Sequence, residues 1–242
     1  MEIVTEKISQ FRRSAWQPVT EDRDGELTAS KFSGKPWLSE TESWPKCGNC
    51  GKEMQLFVQL NLDNLPQELR GEFGGGLLQM FYCTSSDPMC EVEAEAYFPF
   101  AKSTLLRVVD PTAQTAAAEV KIPSTETIPD YFPAKVITGW TQKEDFPNLD
   151  EGEDLGMRLT EEEWNELAEQ GFPLNKDKLA GWPYWVQGVE YPDCPVCGEK
   201  MRLVFQIDSQ DHLSYMFGDV GCGHITQCEN HLDQVAFGWA CS

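Results

Sequence analysis

Cys47-Gly48-Asn49-Cys50-Gly51 and Cys194-Pro195-Val196-Cys197-Gly198 are two C-x-x-C-G turns in one chain. A turn of that spacing aims two sulfurs at one point, and two further soft ligands complete the tetrahedron that zinc prefers. Glycine after the second cysteine lets the turn bend away, and its amide can donate toward sulfur. For the first turn the partners are Cys83 and Cys90. If the segment between Cys50 and Cys83 is an antiparallel hairpin, the start of its first strand lies beside the end of its second. Cys47, Cys50, Cys83 and Cys90 then meet without any long-range coincidence. For the second turn, Cys228 lies 31 residues beyond Cys197, against 33 between Cys50 and Cys83. The expected set is Cys194, Cys197, Cys228 and His231. Cys222, His224 and Cys241 compete for the fourth place: in a strand Cys222, His224 and Cys228 share a face, whereas Cys241 lies in an apolar run and reads better as a buried thiol.

The chemistry expected of these sets is structural: two zinc ions, each closing a strand pair at its base. Nine cysteines would leave a disulfide framework one short of pairing. A redox C-x-x-C wants a βαβ setting and a helix N-terminus to lower the thiol pKa, and strands follow here instead. Catalytic zinc needs an open coordination position and a base. The chain has no H-E-x-x-H, and its three histidines are His212, His224 and His231. Gly74-Gly75-Gly76 lacks the Lys and Ser/Thr of a phosphate loop. A non-catalytic protein is expected. The alternatives are an enzyme working in a cleft between the repeats, or a structural or stress protein with no dedicated partner.

The turns sit inside a longer repetition. Lys31-Phe32-Ser33-Gly34-Lys35-Pro36 returns as Lys178-Leu179-Ala180-Gly181-Trp182-Pro183, and the turns return with Met54 matching Met201, all at a constant offset of 147 residues. The predicted organisation is an N-terminal segment over 1–30, a first repeat over 31–109, an acidic connector over 110–177 and a second repeat over 178–242. Alternating β-prone runs predict strands over 54–62, 77–83, 94–100, 105–109 and 136–140. Further strands are expected over 201–208, 213–217, 223–227 and 235–241. Ile8, Phe11 and Ala15 suggest a short helix before Trp16-Gln17-Pro18. Thr160-Glu161-Glu162-Glu163 is a capping box that should open a helix stopped by Gly171. The fold class expected is mainly β, with α+β possible: an internally duplicated fold with two zinc-knuckle hairpins and few short helices.

A chain of 242 residues with 40% hydrophobic content and eight Trp is expected to fold around a real core. No apolar run approaches the ~20 residues of a membrane helix. The N-terminus lacks the basic-then-apolar order of a secretory leader, so a cytoplasmic location is expected. The net charge of −21 opposes nucleic-acid phosphates and anionic membranes and favours a basic protein partner. The acidity is uneven: residues 141–170 hold eleven Asp or Glu against Lys143 and Arg158. Part of that serves the predicted helix, whose first turn holds three glutamates.

Several segments together resemble the YwqG-like family: Ser30 to Pro36, Trp44-Pro45, Met54 to Pro66, Gly76 to Cys83, Leu179 to Pro183, Gly218 to Gly221 and Ala236 to Cys241. That resemblance implies a mainly β, internally duplicated fold of unknown biochemical function, with zinc the property of a subgroup. A more distant likeness, carried by G-x-P, C-x-x-C and a following glutamine (Gln59, Gln206), is to the programmed-cell-death-two family. It implies a chaperone-like hold on a basic ribosomal protein; gene-neighbourhood arguments for the YwqG-like family imply toxin neutralisation instead.

Overall fold

The computed structural model describes residues 4–123, 128 and 131–242. Among the described residues ten strands, β1 (Arg13–Glu21), β2 (Lys31–Phe32), β3 (Gln55–Asn61), β4 (Leu77–Tyr82), β5 (Thr104–Val109), β6 (Lys135–Asp145), β7 (Lys178–Ala180), β8 (Arg202–Asp208), β9 (Cys222–Gln227) and β10 (Val235–Ala240), form one antiparallel sheet. Its order is β10-β9-β8-β7-β1-β6-β2-β3-β4-β5. Exchanging β1–β5 for β6–β10 and reading backwards returns the same list. Each half places its first strand beside the other half: β1 pairs with β7, and β6 with β2. The long β1–β6 ladder, from Arg13↔Asp145 to Glu21↔Val136, is the seam.

The sheet curls until its edge strands β5 and β10 face one another. There the Trp239 amide donates to the Tyr97 carbonyl at 3.1 Å, so the fold is nearly a barrel. The inner face is a single core shared by both halves, including Phe32, Phe57, Tyr82, Phe205, Phe217, Phe237 and Trp239. Smaller clusters lie outside. One holds Leu38, Cys47, Met54, Leu56, Phe81, Cys83 and Cys90; another holds Cys194, Met201, Cys228 and Ala236. That is why β3, β4, β8 and β9 are buried along almost their whole length.

Helices are few and short: α1 (Val4–Lys7), α2 (Cys90–Glu93), α3 (Leu149–Asp154) and α4 (Glu161–Glu169). The Thr160 capping box opens α4 as expected, and Gly171 follows it at φ 85°. Among the described residues no helix is long and apolar enough to cross a membrane.

Three local expectations are corrected. The helix through Ile8–Ala15 is only a 3-10 turn (Ser9–Phe11), because β1 already begins at Arg13. Pro18 is tolerated in this central strand because β7 pairs only with Ala15 and Trp16, leaving no ladder beyond them on that side. The segment 94–100 turns rather than extends: Glu95 and Phe100 take left-handed φ of 47° and 64°, with Pro99 between them. The segment 213–217 is irregular, and its alternation reflects Leu213, Tyr215 and Phe217 packing onto the inner core.

Candidate metal centres

The β3–β4 hairpin forms as its sequence predicts, and it carries Cys83 back to the turn that precedes β3. Cys47, Cys50, Cys83 and Cys90 come together with all four sulfurs within 4.8 Å of one another. Cys47 Sγ lies 3.8 Å from Cys90 Sγ, and Cys50 Sγ 3.7 Å from Cys83 Sγ. Cys90 reaches the group from the first residue of α2. In the second half Cys194, Cys197, Cys228 and His231 gather within the same limit. Cys197 Sγ is 3.6 Å from Cys228 Sγ, and His231 Nδ1 is 3.6 Å from Cys228 Sγ and 3.9 Å from Cys194 Sγ. Cys228 and His231 share the tight β9–β10 connection, where the Cys228 amide donates to the Gln234 carbonyl at 3.0 Å.

These separations suit a tetrahedral zinc. Zn–S bonds of about 2.3 Å put sulfurs about 3.8 Å apart, and a Zn–N bond of about 2.0 Å puts sulfur and nitrogen about 3.5 Å apart. Burial pushes the Cys83 thiol up strongly, and Cys90 up as well. Cys50 is drawn down despite burial, by the Lys52 amide and the neighbouring thiols. Cys194 falls to about 7, burial being outweighed by the amides of Cys197 and Val196. Cys228 is raised by burial as well, so the thiols of each group differ in proton affinity, and a bound divalent cation would favour the thiolate at each of them.

The turns themselves match in detail. The amides of Asn49 and Val196 each donate to the preceding cysteine sulfur at 3.4 Å. Gly51 and Gly198 donate instead to the carbonyls of Cys47 and Cys194, at 2.9 and 2.8 Å. Their left-handed φ of 73° and 75°, not a bond to sulfur, is what requires glycine. Cys222 and His224 lie beside each other, 3.8 Å apart, outside the second group. Cys241 is half-buried just past β10.

The constant offset of 147 residues continues beyond the cysteines. Gln59 Nε2 donates to the carbonyls of Leu27 and Ala29, and Gln206 Nε2 to those of Leu174 and Lys176. Their Oε1 atoms accept the amides of Trp37 and Tyr184. The ladder shifts register between Leu56 and Val58, and again between Leu203 and Phe205.

Sequence reasoning missed the lysines. Lys31 and Lys178 have fully buried side chains, and each meets an aspartate, Asp24 at 3.0 Å and Asp145 at 2.8 Å. The same carboxylates accept the amides of Lys35 and Trp182. This explains the G-x-P motif. A Cβ on Gly34 or Gly181 would stand 2.6 Å from the aspartate oxygen. The available signal was that Lys31 and Lys178 stand at the same offset of 147 residues.

A third group, Asp177, Asp211 and His212, was also not anticipated. His212 Nδ1 is 2.7 Å from Asp177 Oδ2, and its ring stacks on Phe32 at 4.9 Å. Asp177 also accepts the amides of Asp208 and His212, so both its oxygens are committed to tying loops. Burial raises Asp177, and burial with the Asp177 charge raises Asp208 to about 6.

A near-closed antiparallel sheet flanked by two four-ligand clusters defines the class structurally. The family behind it is shown by comparison: the chain belongs to the family described as domain of unknown function DUF1963, which matches residues 30–241. The chain is also similar to the uncharacterized protein YpfL of Salmonella typhimurium, 39% identical over 44 residues. That stretch is 18% of this chain, and it spans about a tenth of the length of this curated relative.

Proposed function

We propose that the protein is a zinc-stabilised, non-catalytic binding domain, built by internal duplication, that holds a basic protein partner in a reducing compartment such as the cytoplasm. The observation that carries this reading is the pair of four-donor clusters at tetrahedral spacing. Four protein ligands fill the zinc sphere and leave no position for substrate. Zinc at each hairpin base would supply cohesion that the small outer clusters lack. The palindromic strand order and the recurring offset of 147 residues support duplication, with repeats over 31–109 and 178–242.

The net charge of −21 supports a basic partner, as does the likeness to the programmed-cell-death-two family. The residues 141–170 are not all free for that role. Asp145 serves Lys178, Glu151 accepts from Trp185 and Tyr191, and Glu163 caps α4 and meets Lys7. The exposed remainder, with other surface carboxylates, would face the partner. Native mass spectrometry should find two zinc ions per folded chain; a folded protein carrying none overturns the metal reading. Capture of a basic protein at low salt and its release at high salt would support the partner reading, whereas salt-insensitive binding would oppose it.

A further inference from the structure

The halves differ sharply where a cleft opens. In the first half the cross-strand row Gln59, Gln79, Arg107 fills the sheet edge. Arg107 Nε donates to Gln79 Oε1 at 2.9 Å, its other arm meets Glu42, and its guanidinium lies 5.9 Å from the Phe81 ring centre. The matching row in the second half is Gln206, His224, Gly238. Glycine therefore stands where the arginine would be, and a cavity of about 210 Å³ opens there. Its walls include Tyr97, Trp185, Glu190, Tyr191, His224 and Trp239.

We propose that this cleft receives an arginine side chain from the protein partner, supplying from outside the guanidinium that the first half carries within. Aromatic faces attract such a cation, more so when it is desolvated. Glu190, exposed beside them, offers the carboxylate. His224 adds no opposing charge: burial and the Lys178 charge hold its pKa down at about 3. Phe98 is 55% exposed on the same wall and offers apolar surface to the residues flanking the arginine. The inference rests on the basic-partner reading but not on the metal.

Trp185 and Trp239 provide the readout. Their fluorescence should change saturably with N-acetyl-arginine amide. The uncharged isostere, N-acetyl-citrulline amide, should bind at least about tenfold more weakly, the factor that ~1.4 kcal/mol of cation–π and ionic attraction represents. Gly238→Arg, which restores the first-half arrangement, should abolish the response. A Cβ at Gly238 comes within 3.2 Å of the Tyr97 carbonyl, so folding of this variant is checked by circular dichroism. Glu190→Gln, at an exposed position, should weaken binding about fivefold with the fold intact, a ~1 kcal/mol loss of charge attraction. Equal binding of citrulline and arginine overturns the proposal, as does an arginine response unchanged in Glu190→Gln. Tighter binding of free arginine than of the capped form overturns the partner as its source. Salt-sensitive capture of a basic protein that persists in both variants overturns the cleft while leaving the broader function standing.

Discussion

The two cysteine clusters are built on the same turn and hairpin, yet they sit in different surroundings. In the first, Cys47, Cys83 and Cys90 are buried within an outer core that includes Leu38, Leu56, Phe81 and Val120. In the second, Cys197 is exposed, and the associated buried residues besides cysteine are Met201 and Ala236. The first cluster is the centre of a small core; the second is a clasp near the surface. The shared geometry sets which ligands meet, while the surroundings set how much of the fold depends on the meeting. The same division runs through the polar pairs: Asp145 is fully buried beside Lys178, while the side chain of Asp24 beside Lys31 is 31% exposed.

The largest effect should come from disturbing the first cluster. On the zinc reading proposed above, Cys83→Ser should lose one zinc equivalent and about 4 kcal/mol, at the upper end for single substitutions. In a chain of this size that lowers the melting temperature by roughly 8–16 °C. Cys197→Ser should also lose one equivalent but cost about half as much, and a chelator should strip the second site first. Metal content and melting curves check both. Equal costs and a single rate of metal loss would break the contrast between core and clasp.

The lysines offer a second contrast. Lys178→Met strands Asp145 in a site closed to water and should cost about 3 kcal/mol, the lower end for a broken buried pair, because Asp145 still accepts the amides of Phe146, Leu174 and Trp182. Lys31→Met leaves Asp24 with access to solvent and should cost about 1–3 kcal/mol, the range for a polar group that loses its partner. Denaturant unfolding of the two variants measures the difference; a larger loss for Lys31→Met would reverse the ranking.

The cysteine clusters were legible because C-x-x-C spacing and a strand-turn-strand pattern are local and occur twice. The lysine anchors were not, because their aspartates do not keep the offset. Lys31 and Lys178 are 147 residues apart, but Asp24 follows β1 and Asp145 ends β6, so the offset is lost. Nothing local reveals that β1 crosses to lie beside β7, or β6 beside β2. Alternation misled at 213–217, where aromatic residues face inward without a partner strand. Gln59 and Gln206 were visible as a matched pair, but Gln79 against His224, and Arg107 against Gly238, emerge only once strand register is known.

Register also places titrating groups in the second half where the first has neutral ones: Asp177 for Ser30, Asp208 for Asn61 and His224 for Gln79. His224, with its pKa held at about 3 by burial, stays neutral in the folded chain while the unfolded chain takes up a proton below about 6.5. The unfolded state then binds more protons, so stability falls as pH drops through that window, by up to about 1.4 kcal/mol per pH unit. Asp208 and His212 act the other way. The Asp208 carboxyl is raised to about 6 by burial and by Asp177. Burial alone would lower His212, but the Asp177 carboxylate raises it. Both favour the folded state as pH falls. His224→Gln should therefore remove an acid-sensitive component, and at pH 5.5 it should recover about 1.4 kcal/mol relative to wild type, each referenced to pH 7.5. Chemical denaturation at the two pH values tests this. An unchanged difference would show that the second half titrates no differently at this position.

The smallest effect concerns the connection that only the second half enlarges. Between β1 and β2 the chain spends residues 22–30; between β6 and β7 it spends 146–177 and builds α3 and α4. Leu167 of α4 joins Val4, Ile8, Phe146 and Met157 in a separate small core, fastened by Glu163, which completes the capping box and meets Lys7 at 2.6 Å. Thr160→Ala removes the oxygen that accepts the Glu163 amide and should cost about 1 kcal/mol. Because this core stands apart from the shared inner one, the loss should appear as faster amide hydrogen exchange in α4 and at the N-terminus, with β3 and β4 protected as before. Uniformly faster exchange across the sheet would mean that the enlarged connection is part of the framework, and that the two halves differ in more than decoration.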